Sequence, residues 1–218
     1  MIVSVFKDLY KSKDVPFHVP LDKIVKRIQK GTSKELVEQI RNGNDKLKNN
    51  LPCIIFAGTF NERNSNSLQT HSGLMVVDFD KYPSTEVMYQ QLELLKSNPH
   101  FVLLFISPSG KGIKGVIKVS DQLTKETHPK VFKEFNKKFE YEYFDIVNSD
   151  ICRICFESYD PNIYVNMDAQ TFELDTIKSE EKTPIFGYEL FAIFICIVSI
   201  IAAILLTINK KKKRYKEK

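Results

Sequence analysis

Apolar residues recur in two rhythms along this chain, alternating over short runs and returning every three to four residues over longer ones. Together these rhythms mark strands and helices. Ile2–Phe6 reads as a short strand, and Pro16 and Pro20 mark an extended link. Leu21, Ile24, Val25 and Ile28 fall on one helical face, which predicts a helix over 21–29 that Gly31 ends. Thr32 or Ser33 can cap a second helix from Lys34 to about Leu47, with Leu36, Val37 and Ile40 inward. Residues 52–60 are β-rich, 61–69 form a polar loop, and 73–80 read as a buried strand ending in Asp78-Phe79-Asp80. Ser84 caps a helix to about Ser97. Strands at 101–106 and 113–119 flank a tight turn at 107–112 and suggest a hairpin. A helix over 128–143, a last strand at 151–156 and a turn at Asp160-Pro161-Asn162 complete the pattern.

Because several strand pairs look like hairpins, the order favours an α+β fold, a mostly antiparallel sheet covered by helices. The expected organisation is a domain over 1–168, a polar linker over 169–187, a transmembrane helix over 188–209 and a basic tail over 210–218. The membrane expectation rests on Leu190–Ile208, which carries no charge and has Leu, Ile, Val or Phe at thirteen of its nineteen positions. Nineteen helical residues span about 28 Å, close to the hydrocarbon thickness of a bilayer. Thirteen such side chains favour insertion by about 4 to 8 kcal/mol.

Charge sharpens this picture. The formal net charge of the whole chain is +5. Residues 188–218 hold seven Lys or Arg and two Glu, which accounts for all of it and leaves residues 1–187 neutral. Any phosphate binding by the domain must therefore come from a local patch. The tail reads as an anchor against anionic lipid. The opening residues lack the long apolar core of a signal peptide, so the expectation is a single-pass membrane protein with a cytosolic N-terminal domain. Cys152 and Cys155 form a C-x-x-C with no second pair at zinc-finger spacing. They read as small apolar side chains beside a strand.

Three short segments could carry chemistry. Residues i and i+2 of a strand share a face, so Asp78 and Asp80 would sit side by side, and Mg2+ or Mn2+ would relieve their repulsion. The plainer alternative is a strand end turning into solvent. In Ser107–Lys114, Ser109 and the small residues let backbone N–H groups approach a ligand, while Lys111 and Lys114 could hold phosphate. This is not a Walker loop, because Phe105 and Gly112 stand where that motif needs Gly and Ser or Thr. The alternative is a hairpin turn with solvated lysines. Asp150 and Arg153 could add a third metal ligand and a phosphate clamp, or form a structural ion pair. His71, just before the Gly73 strand, could also contact a ligand.

The ordered motifs LPCIIFAGTFNER, THSGLMVVDFDK, FISPSGKGIKGVIKV and NSDICRICFESYDPNIYVN resemble the VirE N-terminal domain family of mobile-element primase- and helicase-associated proteins, over about residues 1–168. The resemblance implies a core like that of the archaeo-eukaryotic primases. Divalent metal would fall on Asp78, Asp80 and Asp150, and the incoming nucleotide on Ser109, Lys111 and Lys114 with Arg153. The chain departs from that pattern at Lys114, where the superfamily motif ends in His, and in passing straight into an apolar segment.

The function so expected is a membrane-anchored, primase-polymerase-like domain that binds Mg2+ or Mn2+ and nucleotide. It would perform nucleotidyl transfer in mobile-element DNA replication, with Asp78, Asp80 and Asp150 catalytic. The alternative is an inactive module that binds nucleic acid or protein at the membrane. Expected partners are nucleotides, single-stranded nucleic acid and membrane lipid through residues 188–218.

Overall fold

Two mainly apolar runs, Leu74–Phe79, broken only by Asp78, and Phe101–Ile106, form buried strands on either side of Ile113–Lys118. A computed structural model describes residues 1–174 of the chain. Within it the strands are β1 (Ile2–Phe6), β2 (Phe17–Pro20), β3 (Cys53–Ile55), β4 (Gly58–Phe60), β5 (Leu68–His71), β6 (Leu74–Phe79), β7 (Phe101–Ile106), β8 (Ile113–Lys118), β9 (Cys155–Phe156) and β10 (Tyr164–Val165). The helices are α1 (Leu21–Lys30), α2 (Lys34–Arg41), α3 (Thr85–Lys96) and α4 (His128–Phe139). One sheet has the order β2-β1-β3-β9, a second β10-β7-β8-β6, and β4-β5 form a two-stranded ribbon. Every strand pair is antiparallel, so the described residues have the expected α+β class.

The second sheet is buried on both faces. Met75, Val77 and Phe79 of β6 pack with Met88 and Leu92 of α3 and with Phe132 and Phe135 of α4. Leu74 and Val76 point the other way, into a core shared with Val3 and Val5 of β1 and Leu21, Ile24 and Ile28 of α1. Period-two alternation therefore puts Asp78 on the face of Leu74 and Val76, where a carboxylate needs partners. Ala169 and Phe172 are also buried, and the compact unit extends to Leu174.

Several elements differ from the sequence expectation, each for a local reason. The extended link at Pro16–Pro20 supplies edge strand β2, whose register places Phe17 opposite Val5. The β-rich stretch splits at Phe56-Ala57, so that β3 joins the first sheet and β4 joins the ribbon with β5. The last two residues of the expected polar loop, Leu68 and Gln69, thus open strand β5. Helix α2 stops at Arg41 because Gly43 takes φ +104°, and the chain then makes a 3-10 turn over Asp45–Asn50. Helix α4 ends at Phe139 because Glu140 is left-handed, and Phe144 pairs with Phe79 at the edge of β6. The expected transmembrane helix at 188–209 lies outside the described residues. Among the described residues no helix is long and apolar enough to cross a membrane.

Candidate phosphate-binding site

The end of β6 is held on both sides. On one side Asp78 stands opposite Lys114 in the β6–β8 register. On the other, Asp145 N–H donates to the Asp78 carbonyl at 2.9 Å and Asp80 N–H donates to the Tyr143 carbonyl at 3.0 Å. The Asp78 side chain is 11% exposed and meets two cations. Lys114 Nζ lies 2.6 Å from its Oδ1, and the Arg153 guanidinium donates to its Oδ2. Arg153 also donates to Asp145 Oδ2 at 3.1 Å and to the Asn148 carbonyl at 2.6 Å. Burial pushes the Asp145 carboxyl up, but the Val147 N–H and the Arg153 guanidinium outweigh it and hold that carboxyl below its ordinary range.

Beyond this cluster opens a cavity of about 430 Å³, within the range of about 300 to 1,000 Å³ usual for small-molecule sites. Its walls come from three places. The strand end contributes Asp78, Asp80, Lys81 and Tyr82. The turn between β7 and β8 contributes Ser107, Ser109, Gly110, Lys111 and Gly112, with Lys114 just beyond. Ser84, Thr85 and Met88 bring in the N-terminus of α3, and Lys48 closes the rim. Helix N-termini present unpaired N–H groups and a partial positive charge.

The turn is braced from behind. Ser107 N–H donates to the Gly112 carbonyl at 2.8 Å, and the Ser107 and Ser109 hydroxyls lie 3.1 Å apart. Gly112 passes so close to β6 that a Cβ there would sit 2.7 Å from the Phe79 carbonyl oxygen. Arg41 bonds the carbonyls of Ser107 and Tyr159 at 3.3 and 2.9 Å. Asp160 accepts from Ile106 N–H at 2.8 Å, and the Ser158 hydroxyl donates to the Ile106 carbonyl at 2.7 Å. Lys81 takes φ +61°, a left-handed conformation that costs a non-glycine residue about 1–2 kcal/mol. Such backbone strain gathers at functional sites.

Asp78, Asp80, Ser109, Lys111 and Lys114 thus share one cavity, with Arg153 directly behind Asp78. Asp150 lies elsewhere. Its carboxylate accepts from Cys152 N–H at 3.0 Å, and it lines a separate cavity with Asn148 and Ser149. Among the described residues no three His, Cys, Asp or Glu side chains are grouped to hold a metal. The expected Mg2+ or Mn2+ set of Asp78, Asp80 and Asp150 is therefore not assembled, and Asp78 already has two cationic partners. Sequence reasoning missed Lys48, Lys81, Tyr82, Arg41 and Asp145. Of these only Lys81, beside Asp80, carried a sequence signal.

Other candidates lie apart from the cavity. His71 Nε2 is 3.2 Å from His128 Nδ1, and both rings are buried. Burial pushes the Cys155 thiol up to about 12 and the Cys152 thiol up to about 11, and both stand as free cysteines. That environment suits packing rather than nucleophilic or metal chemistry.

A family model described as "BT4734-like, N-terminal domain" matches residues 46–165, more than half of the chain. No curated protein and no solved structure matches. This overturns the expected resemblance to the VirE N-terminal domain. The four quoted motifs occupy 51–166 and so fall, but for one residue, inside the BT4734-like match. The primase and mobile-element reading loses its ground with that resemblance, and function must be argued from the cavity itself.

Proposed function

This chain belongs to the BT4734-like N-terminal domain family, and we propose that the cavity between the ends of β6, β8 and α3 binds a phosphorylated ligand of the nucleotide class. The observation that carries the reading is the charge balance of the cavity. Lys48, Lys81, Lys111 and Lys114 line it against Asp78 and Asp80. Asp78 is already compensated by Lys114 and Arg153. Asp80 then faces Lys48, Lys81 and Lys111, an excess of positive charge suited to phosphate.

Lys111 and the backbone of the small-residue turn would hold phosphate oxygens, helped by the N-terminal N–H groups of α3. Tyr82, whose ring centroid lies 4.4 Å from that of Tyr143, would offer its free surface to a base. Such stacking is worth about 1–3 kcal/mol. The site acts as a binding module, because the one carboxylate left free does not build a catalytic metal pair.

The test is calorimetric titration of the protein with a nucleoside triphosphate, with and without Mg2+. Wild type should bind, Lys111→Glu should weaken binding by about tenfold or more, and affinity should fall as salt rises. Failure to bind nucleoside mono-, di- and triphosphates alike, or no change in Lys111→Glu, overturns the reading. Tighter binding of a single-stranded oligonucleotide, with the same dependence on Lys111, would move the ligand from free nucleotide to nucleic acid.

A second reading, metal-assisted phosphoryl or nucleotidyl transfer, draws on the presence of both Asp78 and Asp80 in one cavity. Asp80 would share a Mg2+ or Mn2+ ion with the ligand phosphates. Turnover that requires metal and is abolished by Asp80→Asn would favour it. Metal-independent binding that survives Asp80→Asn would exclude it.

A further inference from the structure

A second concavity, distinct from the lysine cavity, lies where α1 crosses the edge of the first sheet. Its volume is about 600 Å³. Its floor is apolar: Val5 of β1, Phe17 and Val19 of β2, and Ile24 of α1. The register explains the arrangement. Val5 stands opposite Phe17 and Val3 opposite Val19, so these side chains share the sheet face that α1 covers. Because β2 is the edge strand, α1 does not reach far enough to cover Phe17, which remains 68% exposed.

The rim is cationic. Lys23, Lys26, Arg27 and Lys30 descend one side of α1, and Lys7 stands at the end of β1. Two of these charges are already matched: Arg27 by the fully buried Glu157 at 2.7 Å, and Lys26 by Asp22 at 3.3 Å. Lys7, Lys23 and Lys30 have no acidic partner among the described residues. An apolar floor disfavours a polar ligand, and three lysines without an acidic partner at its mouth disfavour a cationic one. What fits both is an anion carrying an alkyl chain. The floor also offers no polar groups to pair base edges, so a hydrocarbon chain suits it better than a nucleic acid strand.

We propose that this groove binds a monomeric, single-chain anionic amphiphile of the long-chain fatty acid class, its alkyl chain along Phe17 and Val19, over the buried Val5 and Ile24, and its head group between Lys23, Lys30 and Lys7. The chain enters along the exposed edge of Phe17 and the carboxylate remains at the solvent rim, as snorkelling lysines require.

The test uses the full-length chain and a photoactivatable palmitate analogue below the concentration at which it self-associates. Labelled residues are mapped by mass spectrometry. Labelling should be saturable, fall within residues 5–7 and 17–32 and be competed by unlabelled palmitate. The variant Lys23→Glu/Lys30→Glu should lower it by about tenfold, and Phe17→Ser should lower it without unfolding the protein, since Phe17 is exposed. The charge-matched control Lys130→Glu/Lys133→Glu, on exposed positions of α4, should leave it unchanged. The proposal is overturned by labelling that is not saturable, or by equal losses in the control and the Lys23/Lys30 variant. It is also overturned if binding occurs only when anionic vesicles are supplied, which would make the groove a bilayer-docking surface. Displacement of the probe by a single-stranded oligonucleotide but not by palmitate would likewise overturn it.

Discussion

Lowering the pH from 7.5 to 5 should cost this domain about 4 kcal/mol of folding stability, and two histidines should account for it. His71 and His128 are 6% and 3% exposed, with ring nitrogens 3.2 Å apart. Gly73 N–H donates to His71 Nδ1 at 3.1 Å, which places the His71 proton on Nε2 and makes His128 Nδ1 its acceptor. Protonating His128 Nδ1 destroys that bond, and protonating His71 Nδ1 sets N–H against N–H. Burial pushes His71 down to about 4, with Asp121 a partial offset. Burial, joined by the neighbouring His71, pushes His128 down to about 3 despite Asp150. Both folded values lie below the ordinary 6.5, so the stability is fully present above pH 6.5 and is lost as pH falls. In that range the unfolded chain binds protons that the folded chain refuses. At pH 5 each histidine contributes a loss of about 2 kcal/mol. Urea unfolding at the two pH values measures the sum. Proton NMR of the imidazole C2–H signals identifies the source, since two of the four histidines should not titrate above pH 5. A loss under about 1 kcal/mol, or the same loss in His71→Leu/His128→Leu, would refute the assignment.

Other perturbations probe the cavity. Arg153→Met should destabilise the fold by about 3 kcal/mol in urea, because it strands Asp145 and half of the Asp78 carboxylate; a loss below 1 kcal/mol would show that water already compensates these groups. Gly112→Ala should cost about 1–3 kcal/mol and weaken nucleotide binding, since the new Cβ would press on the Phe79 carbonyl at 2.7 Å. Lys81→Gly relieves a left-handed backbone and should raise stability by up to about 1 kcal/mol while lowering phosphate affinity. A parallel fall in both would mean that Lys81 serves the fold and not the ligand. Native-state reaction with a thiol reagent should spare Cys53 and Cys155, which are fully buried and pushed up to about 12, and be faster at half-buried Cys152.

Much of the fold was legible because its central strands are mainly apolar runs bounded by turns. The runs at β6, β7 and β8 and the helical spacing of Leu21, Ile24 and Ile28 each carry one unambiguous period. The misreadings fall on short elements that only pairing with another strand defines. Strand β2 is four residues long, and its side chains are mostly exposed. Only pairing with β1 makes it a strand. Nothing local tells that 52–60 must break so that β3 and β4 can serve different sheets. Helix α4 could continue through Tyr141 and Tyr143 by propensity. It ends because Phe144 is worth more packed against Phe79, at 5.5 Å between ring centroids, than on a solvated helical turn.

The site was legible in its residue types but not in its charge balance. Asp78 and Asp80, two residues apart, line one cavity, and the hairpin brings Lys111 and Lys114 to the same end. The spacing of Asp150 and Arg153, however, suggested that both face one ligand. In the fold the chain turns between them, with Arg153 N–H donating to the Asp150 carbonyl at 3.0 Å. The turn sends the guanidinium inward to Asp78 and leaves the Asp150 carboxylate outside. Spacing cannot show this, because a carboxylate at the end of a buried strand looks the same whether it awaits a metal or already holds an arginine. The distinction matters for chemistry. A divalent ion at Asp78 would have to displace Lys114 and Arg153, and Arg153 also serves Asp145, so both carboxylates would need new partners. A phosphate disturbs none of these bonds. On the proposed reading it would meet Lys48, Lys81 and Lys111 in front of a cluster that is already neutralised, and any cation would have to arrive with the phosphate and find Asp80.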